Sequence, residues 1–209
     1  MILNQNNAEL VGVVMGDGYI YKNNKKYRIG FVGHPITDKD YFEYLKKLIK
    51  VEWNKDAKSK VRMGGLRMVI SSKEVCDFLT EELKIPYGKG KSQKIVIPEA
   101  IISNWNLTRA TIRGLFDTDG SVFAVKKPGV DKYPSIEMTT ISKNLIEQLK
   151  FILVGRGFRV SKIWQFKSKL SKNIGYRFGL NGRENIRKWI EEIGFSNPYK
   201  LQRAKDYTN

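Results

Sequence analysis

The chain has one cysteine, Cys76, and one histidine, His34, in 209 residues. A disulfide framework needs cysteines in pairs, and a finger-type zinc site needs more Cys and His ligands than these, so neither can be built. Hydrolytic schemes that rest on histidine general bases are disfavoured for the same reason. Long apolar runs are also missing. Leu10–Met15, the longest near the start, falls far short of the roughly 20 residues that cross a bilayer. No basic stretch precedes it, so a secretory signal is not expected. A glycine-rich P-loop for nucleotide phosphates is absent. Acids are scarce: 21 Asp and Glu face 38 Lys and Arg, a net charge of +17. That imbalance speaks of partners rather than of fold, and it points to a polyanion, nucleic acid first and an anionic membrane surface second. A hydrophobic share of 41% is enough for a core, so a soluble, folded protein of a reducing intracellular compartment (cytoplasm or organelle) is expected.

The chain repeats itself. Leu10-Val11-Gly12-Val13-Val14-Met15-Gly16-Asp17-Gly18 is matched by Ile112-Arg113-Gly114-Leu115-Phe116-Asp117-Thr118-Asp119-Gly120, 102 residues on. Asp38–Lys46 is matched by Ser142–Lys150 at an offset of 104, and Leu66–Glu74 by Tyr176–Glu184 at 110. Three similarities in one order, with slowly growing offsets, indicate a duplicated unit with extra residues in its hairpin turns. Each unit reads as helix, hairpin, helix, hairpin, helix. The first helices are expected to stop at Gly18 and Gly120 in a left-handed conformation, and Asp38 and Ser142 to cap the second helices. Strands are expected near 19–22 with 26–32, 57–63 with 66–71, 121–126 with 133–139, and 159–166 with 176–181. The third helices begin near Lys73 and Arg183, and 84–106, with its prolines and glycines, reads as a linker.

The strands alternate. Tyr27, Ile29 and Phe31 point one way and Lys26, Arg28 and Gly30 the other; Leu66, Met68 and Ile70 oppose Arg67; Tyr176, Phe178 and Leu180 oppose Arg177. Each half should carry a sheet with one apolar and one basic face. Lys26, Arg28, Lys58, Lys60, Arg62, Arg67 and Arg177, with Lys126, Ser135 and Thr139, are the expected nucleic-acid contacts. Cations on strands rather than along one amphipathic helix argue against a membrane surface. Net charges of +6 for 1–105 and +11 for 106–209 assign the larger share of the salt dependence to the second half.

Against this basic background Asp17 and Asp119 fall at equivalent repeat positions. A single Asp-Gly is usually a turn; a matched pair is harder to dismiss. Gly12 and Gly16, like Gly114 and Thr118, are four apart and share a helix face. Small residues there would let two helix backbones cross closely and bring Asp17 and Asp119 together at the C-terminal ends. Two carboxylates at helix C-termini repel each other and the helix dipoles, an arrangement that a hard cation such as Mg²⁺ stabilises.

These segments resemble the two motif helices of the LAGLIDADG homing endonucleases, of the single-chain, two-motif type. The resemblance covers nearly the whole chain. It implies an α+β fold: two pseudo-symmetric αββαββα repeats, 1–98 (linker from about 84) and 99–209, whose antiparallel sheets form a saddle over DNA. It further implies a monomer that cuts both strands of a long, asymmetric duplex site with Mg²⁺, or with Mn²⁺ or Ca²⁺ at the same site. The family's metal-binding acids fall on Asp17 and Asp119, and the carbonyls that join the metal shell on Gly16 and Thr118. A basic residue after the last strand of each repeat enters the family's active site; Lys73 and Arg183 match by position. Val11 and Arg113 depart from the motif's Ala, and Met15 from its first Asp; Arg113 is expected to face away from the seam. The alternative from another class is a non-cleaving nucleic-acid binder, such as an intron RNA maturase or a repressor. A protein-splicing element is disfavoured, because neither Met1 nor Tyr207-Thr208-Asn209 supplies splicing chemistry.

Overall fold

A computed structural model describes residues 1–167 and 172–208. Helix α1 (Gln5–Met15) begins where the Asn4 side chain accepts the Asn7 N–H. It leads into strands β1 (Gly18–Lys22) and β2 (Tyr27–Gly33), helix α2 (Lys39–Trp53), strands β3 (Lys58–Arg62) and β4 (Gly65–Ser71), and helix α3 (Lys73–Asp77), which widens into a π turn over Phe78–Glu82. Short helices α4 (Lys91–Lys94) and α5 (Glu99–Ile102) bridge to the second half. There α6 (Trp105–Thr118), β5 (Gly120–Lys127), β6 (Val130–Thr140), α7 (Lys143–Gly155), β7 (Trp164–Lys167), β8 (Ile174–Asn181) and α8 (Arg183–Glu192) repeat the order, and α9 (Pro198–Asp206) follows.

The two four-stranded antiparallel sheets have the same strand order, β1-β2-β4-β3 and β5-β6-β8-β7. Their registers also agree: Gly18 faces Phe31, which faces Met68, as Gly120 faces Met138, which faces Phe178. The inward residues follow the period-two pattern. Ile29, Phe31, Met68 and Ile70 are buried against Tyr41, Phe42, Leu45 and Ile49 of α2, whose spacing gives the helix one apolar stripe. Ile136, Met138, Phe178 and Leu180 meet Leu145, Ile146, Leu149 and Leu153 of α7, with Trp189 closing the layer. The fold is thus α+β, in two equivalent units.

Several local expectations change. Gly18 and Gly120 are not left-handed; they open β1 and β5. Glycine is needed there because a Cβ would meet the Val14 or Phe116 backbone, the carbonyl oxygens lying 2.8 and 2.5 Å away. Asp38 does not cap α2: its carboxylate accepts the His34 N–H at 2.7 Å and the Asn197 amide at 3.0 Å. Ser142 does cap α7, through the Leu145 N–H. Strand β7 is four residues long because 159–163 joins β8 only around the isolated Val160–Leu180 bridge, where the Ser161 hydroxyl takes the Gly179 N–H in place of a backbone carbonyl. The segment read as a linker is docked. Ile95, Ile97 and Ile101 are buried, and Gln148 of α7 holds both the N–H (2.7 Å) and the carbonyl (3.1 Å) of Ile97.

Candidate active site between the two halves

Helices α1 and α6 cross at the expected small residues. A Cβ on Gly12 would run into the Thr111 carbonyl, and one on Gly114 into the Glu9 carbonyl. The contact is reciprocal and backbone on backbone. The Thr111 hydroxyl adds a hydrogen bond to the Ala8 carbonyl at 2.9 Å. Gly16 lies against the Thr118 hydroxyl in the same way. Arg113 does not face away from this seam: its guanidinium binds the fully buried Glu9 carboxylate, Nε to Oε2 at 2.8 Å, and Tyr44 donates to the other oxygen at 2.9 Å. A buried carboxylate has to be paired, and an arginine on the opposite helix pairs this one across the two halves.

At the C-terminal end of the crossing, Asp17 follows α1 and Asp119 caps α6. A Cβ on Gly16 would sit 3.3 Å from the Asp119 carboxyl carbon, so one motif's acid lies against the other's backbone. Both carboxyls are pushed up. Asp119 rises to about 7, first through burial and then through the Asp17 charge, with Lys200 and Lys91 acting against the rise. Asp17 is raised by burial, lowered by Lys200, raised by Asp38 and lowered by Lys91. Two like charges in a partly desolvated notch leave an unmet demand for positive charge.

Lys91 and Lys200 meet part of it, and neither was singled out in the sequence. The Lys91 ammonium donates to the carbonyls of Val14 and Gly18; that of Lys200 donates to Phe116 and Thr118 at 2.9 Å each and to Gly120 at 2.6 Å. Val14 and Gly18 are the repeat equivalents of Phe116 and Gly120, so the two lysines are equivalent as well. Each bridges carbonyls at the end of its motif helix and the start of the following strand, and adds a cation where the dipole favours one. Burial pushes Lys91 down to about 8 against the opposing pull of Asp119 and Asp17, and lowers Lys200 likewise. A signal does exist in the sequence: Pro86-Tyr87 precedes Lys91, and Pro198-Tyr199 precedes Lys200. Three extra residues in the first copy hide it.

Lys200 is held by a further acid. Asp117, fully buried, accepts the N–H groups of Ser196 and Asn197 at 2.9 and 3.1 Å, and Asn197 caps α9. Asp117 therefore fixes the start of the helix that carries Lys200. Burial, only partly offset by those two N–H groups, raises its carboxyl to about 7.

Lys73 and Arg183 lie elsewhere. The acids adjoin Gly18 and Gly120, in register with Met68 and Phe178; Lys73 and Arg183 come five residues later, beyond the far ends of β4 and β8. At about 3.3 Å per strand residue that is more than 10 Å along the sheet. Lys73 is bonded to Asp77 at 2.6 Å, and Arg183 is exposed.

The outer face of the first sheet carries Arg28, Lys58, Lys60, Arg62 and Arg67 with no acid among its strands. Lys26 is exposed just before β2. The second face is different. Arg177 and Thr139 are exposed there, but Lys126 sits in the distal hairpin within 3.5 Å of Asp131. Ser135 is buried, with its hydroxyl donated to Asn181 at 2.8 Å. The dense cationic face thus belongs to the first half, although the second has the larger net charge.

Residues 106–194 match the family model of the LAGLIDADG-like domain. The chain as a whole has the two-domain LAGLIDADG meganuclease fold. It superposes on I-DmoI in complex with DNA and Mn with a TM-score of 0.63 at 17% identity, covering 93% of this chain and 99% of that one. For the LAGLIDADG meganuclease I-AabMI bound to uncleaved DNA the TM-score is 0.61 at 12% identity, covering 98% and 88%. Among curated proteins, the replication factor C small subunit of Methanocaldococcus jannaschii is 30% identical over 204 residues, 96% of this chain but 10% of that protein. The chain spans a tenth to a fifth of the length of the replication factor C relatives it matches. No helix among the described residues is long and apolar enough to cross a membrane.

Among the described residues no three His, Cys, Asp or Glu side chains cluster as a metal site, so a cation here would rest on the Asp17–Asp119 pair. That donor set suits a hard divalent ion, which is commonly held by one or two carboxylates and keeps several waters. The Thr118 carbonyl already accepts one hydrogen bond from Lys200, which leaves one lone pair.

Proposed function

We propose that the chain is a sequence-specific DNA endonuclease that makes divalent-metal-dependent double-strand cuts as a monomer at a long, asymmetric site. The observation that carries this reading is the pairing of Asp17 with Asp119 between two equivalent buried lysines, next to an acid-free basic sheet. A pure binder has no use for two mutually repelling carboxylates beside phosphate. Asp17 and Asp119, with the Gly16 and Thr118 carbonyls, would hold Mg²⁺, which Mn²⁺ or Ca²⁺ can replace. The ion's chemistry is to lower the pKa of a water and to offset charge on the leaving oxygen.

The chain's own groups do the rest. The basic sheet attracts and seats the duplex through its positive charge. Lys91 and Lys200 replace Lys73 and Arg183 as the cations that offset charge growing on the attacked phosphate. Pinned by backbone carbonyls, they need little reorganisation during reaction. The equivalence of the two halves gives each strand one acid and one lysine.

The test is cleavage of a duplex selected from a randomised library, in Mg²⁺, by wild type and by Asp17→Asn. Wild type should linearise a plasmid bearing the site, and Asp17→Asn should bind it without cutting. Binding with no cleavage by wild type would favour the maturase or repressor reading.

A further inference from the structure

The matching registers allow the two outer faces to be compared point by point. Arg67 and Arg177 are equivalent, since Arg67 pairs with Val32 and Lys60, and Arg177 with Thr139 and Trp164. Lys60 therefore corresponds to Trp164. One row further out, Arg62 opposite Gly65 corresponds to Phe166 opposite Gly175. On the inner pair of strands Arg28 corresponds to Ser135, and Gly30 to Glu137. Three cations of the first sheet are thus replaced in the second by two aromatic rings and a buried hydroxyl, and a glycine by an acid. Trp164 is 51% exposed and Phe166 38%. Among the described residues Arg177 is the one outer-face arginine of the second sheet; it lies 3.7 Å from Glu137 and 5.6 Å from the Phe166 ring centre, and the Lys162 ammonium lies 3.8 Å from the Trp164 ring centre.

A carboxylate and two exposed rings are ill suited to phosphate. They suit base edges: an apolar side chain meets the thymine methyl, and a carboxylate accepts from cytosine N4. Arginine and lysine instead favour guanine N7 and O6. Resting on the DNA reading above, we infer that the two halves read different base chemistry. The sheet of residues 18–71 selects guanine through Arg28, Lys60, Arg62 and Arg67, and the sheet of residues 120–181 selects thymine methyl groups through Trp164 and Phe166. The bound site would be compositionally lopsided, with guanines concentrated in one arm and major-groove methyls in the other.

The test uses the full chain, in EDTA, against a duplex recovered from a randomised library. In one arm at a time, guanine is replaced by 7-deazaguanine, which lacks the N7 acceptor, or thymine by uracil, which lacks the methyl. Deazaguanine should weaken binding about tenfold in one arm only. Uracil should weaken it about fourfold per contacted methyl in the other arm only. Arg62→Ala should shrink the deazaguanine penalty, and Trp164→Ala combined with Phe166→Ala should remove the uracil penalty. Equal penalties in both arms, or a uracil penalty that survives Trp164→Ala combined with Phe166→Ala, overturns the inference while leaving the DNA reading intact. If no duplex is enriched over competitor, the DNA reading fails and this one falls with it.

Discussion

Replacing Asp119 with asparagine should make the metal-free protein more stable while destroying its proposed activity. The carboxyl has been pushed from 3.8 to about 7. Each pH unit of displacement is worth 1.36 kcal/mol, so the ionised form is disfavoured in the fold by about 4 kcal/mol. Because the group is half-buried and reached by solvent, about 2 kcal/mol is a fairer figure. The sign follows from proton binding. The native state holds this proton more tightly than the unfolded chain, so the penalty is absent below about 3.8 and complete above about 7. A neutral amide removes it. For a chain of this size, about 2 kcal/mol moves the melting temperature by about 4–8 °C. Calorimetry in EDTA at pH 8 should show this gain for Asp119→Asn, and the gain should shrink as the pH falls to 5. Added Mg²⁺ should raise the wild-type melting temperature and leave the variant unchanged. A variant no more stable at pH 8, or equally stabilised at both pH values, would refute the account of an acid held charged against burial and a neighbouring carboxylate.

Other outcomes can be checked independently. Lys91→Met and Lys200→Met should each lower the cleavage rate at least tenfold in single-turnover assays, while Lys73→Ala and Arg183→Ala stay within about threefold, since neither lies beside the acids. Cleavage should lose rate as the pH falls below 7, because protons compete with metal for Asp119; a rate flat from pH 8 to 6 would count against the site. Gly12→Leu or Gly114→Leu should cost about 3 kcal/mol or more by denaturant unfolding, because a side chain would have to displace helix backbone. Neutralising Arg28, Lys60, Arg62 and Arg67 together should flatten the salt dependence of DNA binding more than neutralising Lys126 and Arg177, as read from a plot of log affinity against log salt.

The sequence carried the repeats, the strand faces and the seam, because each depends on local periodicity. Gly12, Gly16, Gly114 and Thr118 were legible from a four-residue spacing on one helix face. Lys91 and Lys200 were not. They reach the acids from segments that look like connections, and their role depends on which carbonyls lie within reach of an ammonium, a fact of tertiary geometry. Lys73 and Arg183 were placed by chain position after a strand, but the direction of that strand carries them away from the seam. Arg113 looked out of place because its partner, Glu9, lies in the other half. The charge count and the cationic face differ for a similar reason: the count adds all cations, whichever way they point. Distal hairpins and helix backs hold much of the second half's surplus.

The glycine crossing has an architectural consequence. The helices that carry the two acids are spaced by main chain against main chain at Gly12 and Gly114, and by the small Thr118 side chain against Gly16. The offset between equivalent residues is 102 at that crossing and grows to 110 by the last paired strands. Insertions have therefore accumulated outward from a fixed pivot. A chain built this way can exchange the residues on either sheet, or lengthen a hairpin, without disturbing the geometry at its centre. The two arms are then free to diverge toward unlike targets, as Lys60 and Trp164 have diverged, while a common centre keeps its span.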